Sequence, residues 1–124
     1  AAAILTIHVT DPLGDVLTTG DGKAYVQIPA SYNGYNLTNV LAAVTTASTS
    51  GTPTIQIRNV TDSVDMLSTR ITIDANETSS ATATTGASIN TAYDDVATGD
   101  VLAIDIDVAG TGTKGLLVTL TFAP

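Results

Sequence analysis

The sequence contains no cysteine and no tryptophan, a single histidine, and four basic residues against twelve acidic ones. The lack of cysteine excludes a disulfide framework and any thiolate zinc or iron–sulfur site. Four scattered bases cannot form the basic surface that nucleic-acid phosphates require, so we expect no nucleic-acid partner. The length of 124 residues and the formal net charge of −8 fit one acidic domain spanning 1–124.

Long hydrophobic runs are also missing. The longest runs lie at 1–5 and 40–44, far short of the about 18 apolar residues that indicate a membrane span. We therefore expect no membrane partner. The chain begins with Ala rather than Met, and removal of an initiator methionine and processing from a longer precursor both stay open.

What the sequence does contain is apolar alternation with a period of two, which predicts strands. The clearest example is 101–108, where Leu102, Ile104, Ile106 and Val108 are predicted to face inward and Asp105 and Asp107 outward. The next alternating segment is 116–122. We expect these two strands to form a long hairpin.

The other predicted strands are short. They cover 3–9, 15–19, 24–28, 37–48, 54–60 and 69–74, with 75–88 as a long loop or weak edge strand. The segment 37–48 also has helical spacing, but its Thr and Ser content argues against a helix. About eight strands with almost no helix predict an all-β fold, an antiparallel two-sheet sandwich that is jelly-roll-like. An immunoglobulin-like sandwich is the alternative.

Catalytic constellations are not apparent, and we predict no catalytic residue. The single histidine, His8, has Ile4, Thr6 and Thr10 as neighbours on its predicted strand face. A Ser–His–Asp site needs an orienting acid and a positioned nucleophile. His8 is therefore expected to be a surface or interface residue.

The acidic residues raise the question of a metal. Asp94, Asp95 and Asp100 precede Asp105 and Asp107, but the spacing is not that of an EF-hand loop. We expect no metal site and no cofactor, with a calcium site as the alternative. A solvated acidic face that keeps the domain soluble is the favoured interpretation.

Two tyrosines flank an Asn-Gly turn signal. Tyr32, Asn33 and Tyr35 lie in one predicted loop, and Tyr93 lies in another. Tyrosines on the end loops of a sandwich bind partners or glycans at low entropic cost. These four residues are the candidate contact site, and the alternative is that one ring covers the edge of the core.

The first predicted strand is apolar and lies at the chain terminus. Ile4, Leu5, Ile7 and Val9 are its candidate assembly residues. Such a strand pairs within its own sheet or adds to the sheet edge of a neighbouring subunit. Under the second alternative, 1–17 is an assembly arm or an exchanged strand.

Three stretches carry a resemblance to a known family. They are Thr19–Pro29, Ser50–Asp62 continuing through Asp65–Asp74, and Asp94–Leu116. In that order they resemble a β-sandwich module that recurs in structural proteins of tailed bacteriophages, in head decoration and tail proteins. The resemblance covers roughly 18–122, and its motifs are scaffold and turn residues.

The resemblance implies a non-enzymatic virion surface protein, a capsid decoration or tail-surface component that assembles as a homo-oligomer such as a trimer. Its partners would be copies of itself and other virion proteins such as a major capsid protein. One alternative is a carbohydrate- or receptor-binding module of a fibre, which binds host surface glycans. Another is an extracellular filament subunit assembled by exchange of the first strand.

Overall fold

Residues 3–11 and 13–124 are described by the computed structural model, and within them ten strands and no α-helix are assigned. Two single turns of 3-10 helix lie at Ala30–Tyr32 and Ser80–Thr82. The strands are β1 (Ala3–His8), β2 (Gly20–Gln27), β3 (Asn36–Ala43), β4 (Thr54–Asn59), β5 (Val64–Asp65), β6 (Leu67–Thr69), β7 (Ile71–Thr72), β8 (Ser88–Ile89), β9 (Val101–Val108) and β10 (Leu117–Ala123).

The strands form two antiparallel sheets that pack face to face. One sheet has the order β1-β10-β3, and the other has the order β2-β9-β4-β5, with β7 also paired to β4. A small pair, β6-β8, lies beside them. The first strand, β1, pairs with the last, β10, and β2 pairs with β9. An isolated bridge joins Ala43, at the end of β3, to Ser79. This order is that of a long ribbon rolled into a jelly roll, and the predicted all-β sandwich is confirmed.

Alternation along the central strands builds the core. Val118, Leu120 and Phe122 of β10 are fully buried and face Leu102 and Ile104 of β9 across the space between the sheets. Intervening residues point outward, as the strand period requires. The core is aliphatic, with Phe122 as its largest side chain.

The predicted hairpin of the last two strands is wrong. β9 lies between β2 and β4 in one sheet, whereas β10 lies between β1 and β3 in the other. Both strands are one-sided, so each covers the other's apolar face across the core instead of lying beside it. The connection 109–116 crosses between the sheets, and Gly110, Gly112 and Gly115 within it adopt positive φ.

The predicted strand at 15–19 is not formed. Leu17 is buried there, but the regular strand begins only at Gly20. The Gly20-Asp21-Gly22 segment, which lies between the predicted strands 15–19 and 24–28, begins β2, with a bulge against β9. Glycines within a strand commonly mark such a bulge.

On β9 the inward assignment of Val108 is wrong, and Asp105 lies on the outer side as predicted but is covered. Val108 is 43% exposed, because the register with β4 shifts between Thr54 and Ile55 and the alternation ends there. Asp105 is only 5% exposed, because the bulged start of β2 covers it and the backbone N–H of Gly22 donates to its Oδ1 at 2.8 Å.

The strand observed in the region predicted at 37–48 is shorter than predicted. β3 ends at Ala43, and beyond it only Thr46 forms an isolated bridge, with Lys114. The serine beyond it, Ser48, is buried and donates to the carbonyl of Ser50 at 2.6 Å. Hydroxyl side chains that bond nearby backbone in this way favour turns over strands.

Candidate functional site: an uncharged sheet face and its open edge

The outward side of the three-stranded sheet carries no Asp, Glu, Lys or Arg. Strand register places nine of its outward residues in three cross-strand rows. This set, the uncharged face, consists of Ile4, Thr121 and Asn39 in the first row, Thr6, Thr119 and Leu41 in the second, and His8, Leu117 and Ala43 in the third. Its apolar members are partly in water, with Ile4 60% and Leu41 41% exposed.

The opposite side of the sandwich is charged. On the outer side of the five-stranded sheet, Arg58 pairs with Asp65 at 3.3 Å and Arg70 with Asp107 at 2.6 Å. Lys23 of β2 donates to the hydroxyl of Thr18 at 2.7 Å. The net charge of −8 is therefore distributed over this side and the loops, and the uncharged face stands apart from it.

Asp105 lies in the middle of that charged side. Burial raises the pKa of its carboxyl above the usual value, and the negative charges of Asp21, Asp107 and Asp65 raise it further. The hydrogen bond from Gly22 lowers the pKa but does not outweigh burial. The acidic residues here are thus partly covered and paired, not uniformly solvated.

One border of the uncharged face is the open edge of β1, where the sheet ends. The N–H of Val9 donates to the carbonyl of Leu116 at 2.9 Å, which continues the ladder with β10. Because antiparallel ladders alternate, the backbone groups of Ile4, Thr6 and His8 point away from β10, toward the outside. We call this row of backbone groups the β1 edge.

The β1 edge lacks the usual protections of an edge strand. Residues Ala3–His8 contain no Asp, Glu, Lys, Arg or Pro, and their register with β10 runs without a shift. Edge strands normally carry charges, prolines or bulges that prevent pairing with another chain. Within the described residues, one side-chain hydrogen bond reaches this edge: the Tyr32 hydroxyl donates to the carbonyl of Ile4 at 3.3 Å.

The other sheet edges are protected. β2 has a bulge and carries Asp21 and Lys23. β3 is bulged against β10, and Ser80 covers it by accepting from the Ala42 N–H at 2.9 Å. β5 and β7 are two residues each, too short to present a long template.

The predicted tyrosine site is only partly exposed. Tyr32 and Tyr35 stack with ring centroids 5.9 Å apart, and Tyr32 also packs on Phe122 at 5.8 Å. Asn33 uses its Oδ1 to accept from the Thr98 N–H at 2.9 Å. Tyr93 is 47% exposed, just before a segment whose Asp94 carbonyl accepts from the Leu37 N–H.

The predicted assembly residues of the first strand divide between the two sides of the sheet. Leu5, Ile7 and Val9 pack on the core, and Ile4 lies on the uncharged face. β1 pairs with β10 of its own chain. Part of the segment 1–17, at residues 1, 2 and 12, lies outside the described residues.

The structure also locates the residues considered for chemistry. His8 is exposed on the uncharged face. Among residues 3–11 and 13–124 there is no group of three His, Asp or Glu side chains arranged to hold a metal ion. No pocket is detected in that part of the chain, and none of its helices is long and apolar enough to cross a membrane.

Sequence reasoning missed Leu41, Thr119 and Thr121, which the strand order places on the same sheet face as β1. A signal was available, since the strands 3–9, 37–48 and 116–122 are free of Asp, Glu, Lys and Arg. The absence of charge predicts a shared uncharged face only if these strands are neighbours, and their order is not visible in the sequence. No protein-family model, curated protein or solved structure matches this chain.

Proposed function

We propose that this chain is a non-enzymatic structural protein of a virion surface, a capsid decoration or tail-surface protein of a tailed bacteriophage. The uncharged face is the observation that carries the proposal, and it would be the side that attaches to other virion proteins. The phage assignment is supported by the resemblance of Thr19–Pro29, Ser50–Asp74 and Asp94–Leu116 to the module described above.

The physical argument is one of desolvation. Removing an ionised side chain from water is costly unless it finds a good partner, and none of the nine residues of the uncharged face carries such a charge. Threonine hydroxyls such as those of Thr119 and Thr121 both donate and accept, so they match many partner surfaces. The charged side keeps the assembled surface soluble.

The alternative functions stay predictions. A glycan site at Tyr32 and Tyr35 would have to use rings that already pack on each other and on Phe122. A filament built by strand exchange would have to displace a β1 that pairs with its own β10 along six residues. Neither arrangement has an observation that favours it over attachment through the uncharged face.

The first experiment locates the protein in virions purified from its native source, by antibody labelling and electron microscopy. Regular positions on heads or tails are the expected result. Absence of the protein from the virions would overturn the proposal.

A matched pair of variants then tests the face. Leu41→Lys places a charge on the uncharged face, and Tyr25→Lys places one on the opposite sheet, at a side chain that is 64% exposed. Leu41→Lys is expected to weaken binding to stripped particles by ~10-fold or more, the equivalent of a single desolvated charge, and Tyr25→Lys by less than ~2-fold. Equal effects of the two variants would assign attachment to another surface.

A further inference from the structure

The β1 edge presents backbone donors and acceptors that a strand of another chain can satisfy. The outward groups belong to Ile4, Thr6 and His8, spaced two residues apart. Each can form the paired N–H···O bonds of an antiparallel ladder. Of these groups, the carbonyl of Ile4 is bonded to the Tyr32 hydroxyl.

We propose that the β1 edge is a homodimer seam, in which two copies pair their β1 strands antiparallel about a two-fold axis at Thr6. Thr6 then lies opposite Thr6 of the partner subunit, and Ile4 opposite His8 of the partner subunit. The two three-stranded sheets become one sheet of six strands. This inference rests on the proposed function, because it describes how the attachment face is enlarged.

A second copy can dock at this edge, whereas most other surfaces of so acidic a chain would repel it. Each chain has a net charge of −8, so most pairs of surfaces on two copies repel. The β1 edge and the uncharged face beside it bring no ionised side chains together. When two copies of β1 pair about Thr6, no Asp, Glu, Lys or Arg of one strand lies opposite one of the other.

The size of the face gives a second reason. Three strands about 4.8 Å apart and six residues long at about 3.4 Å each cover roughly 300 Å². A specific interface usually buries about 800 Å² on each partner, so one face alone is too small. Pairing at β1 joins two faces side by side into roughly 600 Å² of continuous uncharged area, which is closer to that size.

The test uses the whole chain and a matched pair of lysine variants. Thr6→Lys puts two ammonium groups directly opposite each other at the two-fold axis, which destabilises a strand pair. Leu41→Lys adds the same charge on β3, at the far side of the same sheet and away from the seam. Sedimentation velocity from about 1 µM to about 1 mM covers the range in which a small interface dissociates.

The expected result is a reversible monomer–dimer equilibrium for the unmodified chain. Thr6→Lys should raise the dissociation constant by ~10-fold or more and Leu41→Lys by less than ~2-fold, on the scale of one unfavourable charge pair. A monomer at every concentration, a trimer or a polymer would overturn the seam. Equal weakening by both variants would also overturn it, because that indicates packing of face on face.

A cysteine variant tests the geometry of the seam without adding a charge to the strand. The chain has no cysteine, so Thr6→Cys introduces a single thiol. A short bismaleimide should link two copies of Thr6→Cys rapidly, whereas Thr121→Cys, on the central strand β10, should link at least ~10-fold more slowly, since it is two strand spacings farther from its own copy. Equal rates would contradict a seam at Thr6.

The seam and the proposed function fail in different ways. If the unmodified chain is monomeric at every concentration and still occupies regular positions on virions, attachment stands and does not use the seam. If the chain dimerises through Thr6 but is absent from virions, the seam stands and the proposed function is wrong.

Discussion

The Tyr32 hydroxyl donates a hydrogen bond to the backbone carbonyl of Ile4, with 3.3 Å between the two oxygens. The bond joins the loop after β2 to one end of the β1 edge. The ring below it packs on Phe122 of the core. Tyr32 therefore supports the sheet end from which the uncharged face begins, which is a structural role that does not require a ligand.

Replacement of Tyr32 by Ala should lower the free energy of unfolding by about 1–3 kcal/mol, because the ring contacts with Phe122 and Tyr35 are lost. Tyr32→Phe keeps the ring and loses only the hydrogen bond, so a cost of about 0.5–1 kcal/mol is expected. Urea unfolding at pH 7 measures both. Tyr25→Ala, at a mostly exposed ring, is the control and should stay within about 0.5 kcal/mol. If Tyr32→Ala matches that control, the support role is wrong.

The raised pKa of Asp105 makes a prediction about pH. Burial is the largest cause, followed by the neighbouring acids. A raised pKa means that the folded state binds the proton more readily than the unfolded chain does. The contribution of Asp105 to stability is therefore fully present below the unfolded pKa, and it is lost as the pH rises through the higher folded pKa.

Asp105→Asn should therefore be more stable than the unmodified protein at pH 7, by on the order of 1 kcal/mol, because it removes a desolvated charge beside three acids. The amide oxygen can still accept from Gly22. The advantage should shrink as the pH falls through the folded pKa of Asp105. Thermal unfolding of both proteins from pH 7 to pH 4 measures this, with exposed Asp15→Asn as the control. A difference that does not change with pH would contradict the assignment.

The connection between β9 and β10 depends on Gly115. This residue has φ of +69°, and a Cβ there would lie 3.0 Å from both Cβ and Cγ2 of Thr45 and closer still to its hydroxyl oxygen. Gly115→Ala should cost about 2–4 kcal/mol, from backbone strain and the clash together.

Gly112→Ala is the matched control for that variant. Its φ of +73° is similar, but nothing lies within 4 Å of an added Cβ. It should cost only about 1–2 kcal/mol, the strain of the left-handed conformation. Guanidinium unfolding of the two variants separates the clash from the strain. Equal losses would show that Thr45 moves away freely.

A buried amide–carboxylate pair holds the loop before β9. Asn59 Nδ2 donates to Asp100 Oδ2 at 3.1 Å, and the Ala97 N–H donates to the same oxygen at 3.0 Å. Asp100→Ala leaves both donors without this acceptor and should cost about 1–3 kcal/mol. Asp62 accepts from the same Asn59 amide but is exposed, so Asp62→Ala should cost at most about 1 kcal/mol. Urea unfolding measures the loss of stability for both variants. A larger loss for Asp62→Ala would show that Asp62, and not Asp100, holds this loop.

Local patterns were sufficient for the fold class. The alternation in 54–60 and in 116–122 predicted strands where β4 and β10 lie, because a strand period of two is visible in the sequence itself. The same reasoning failed where one strand meets another. Asp105 was expected in water, and only the bulge of β2 over it explains its burial.

The sequence by itself determined that this chain makes short one-sided strands around an aliphatic core, because side-chain alternation is a local property of the backbone. Only the tertiary structure decided which strands are neighbours. It separated β9 from β10, placed β1, β10 and β3 in one sheet, and so collected nine uncharged residues from three distant segments on one face beside an open edge. Strand pairing between distant segments depends on long-range packing, which no local pattern encodes.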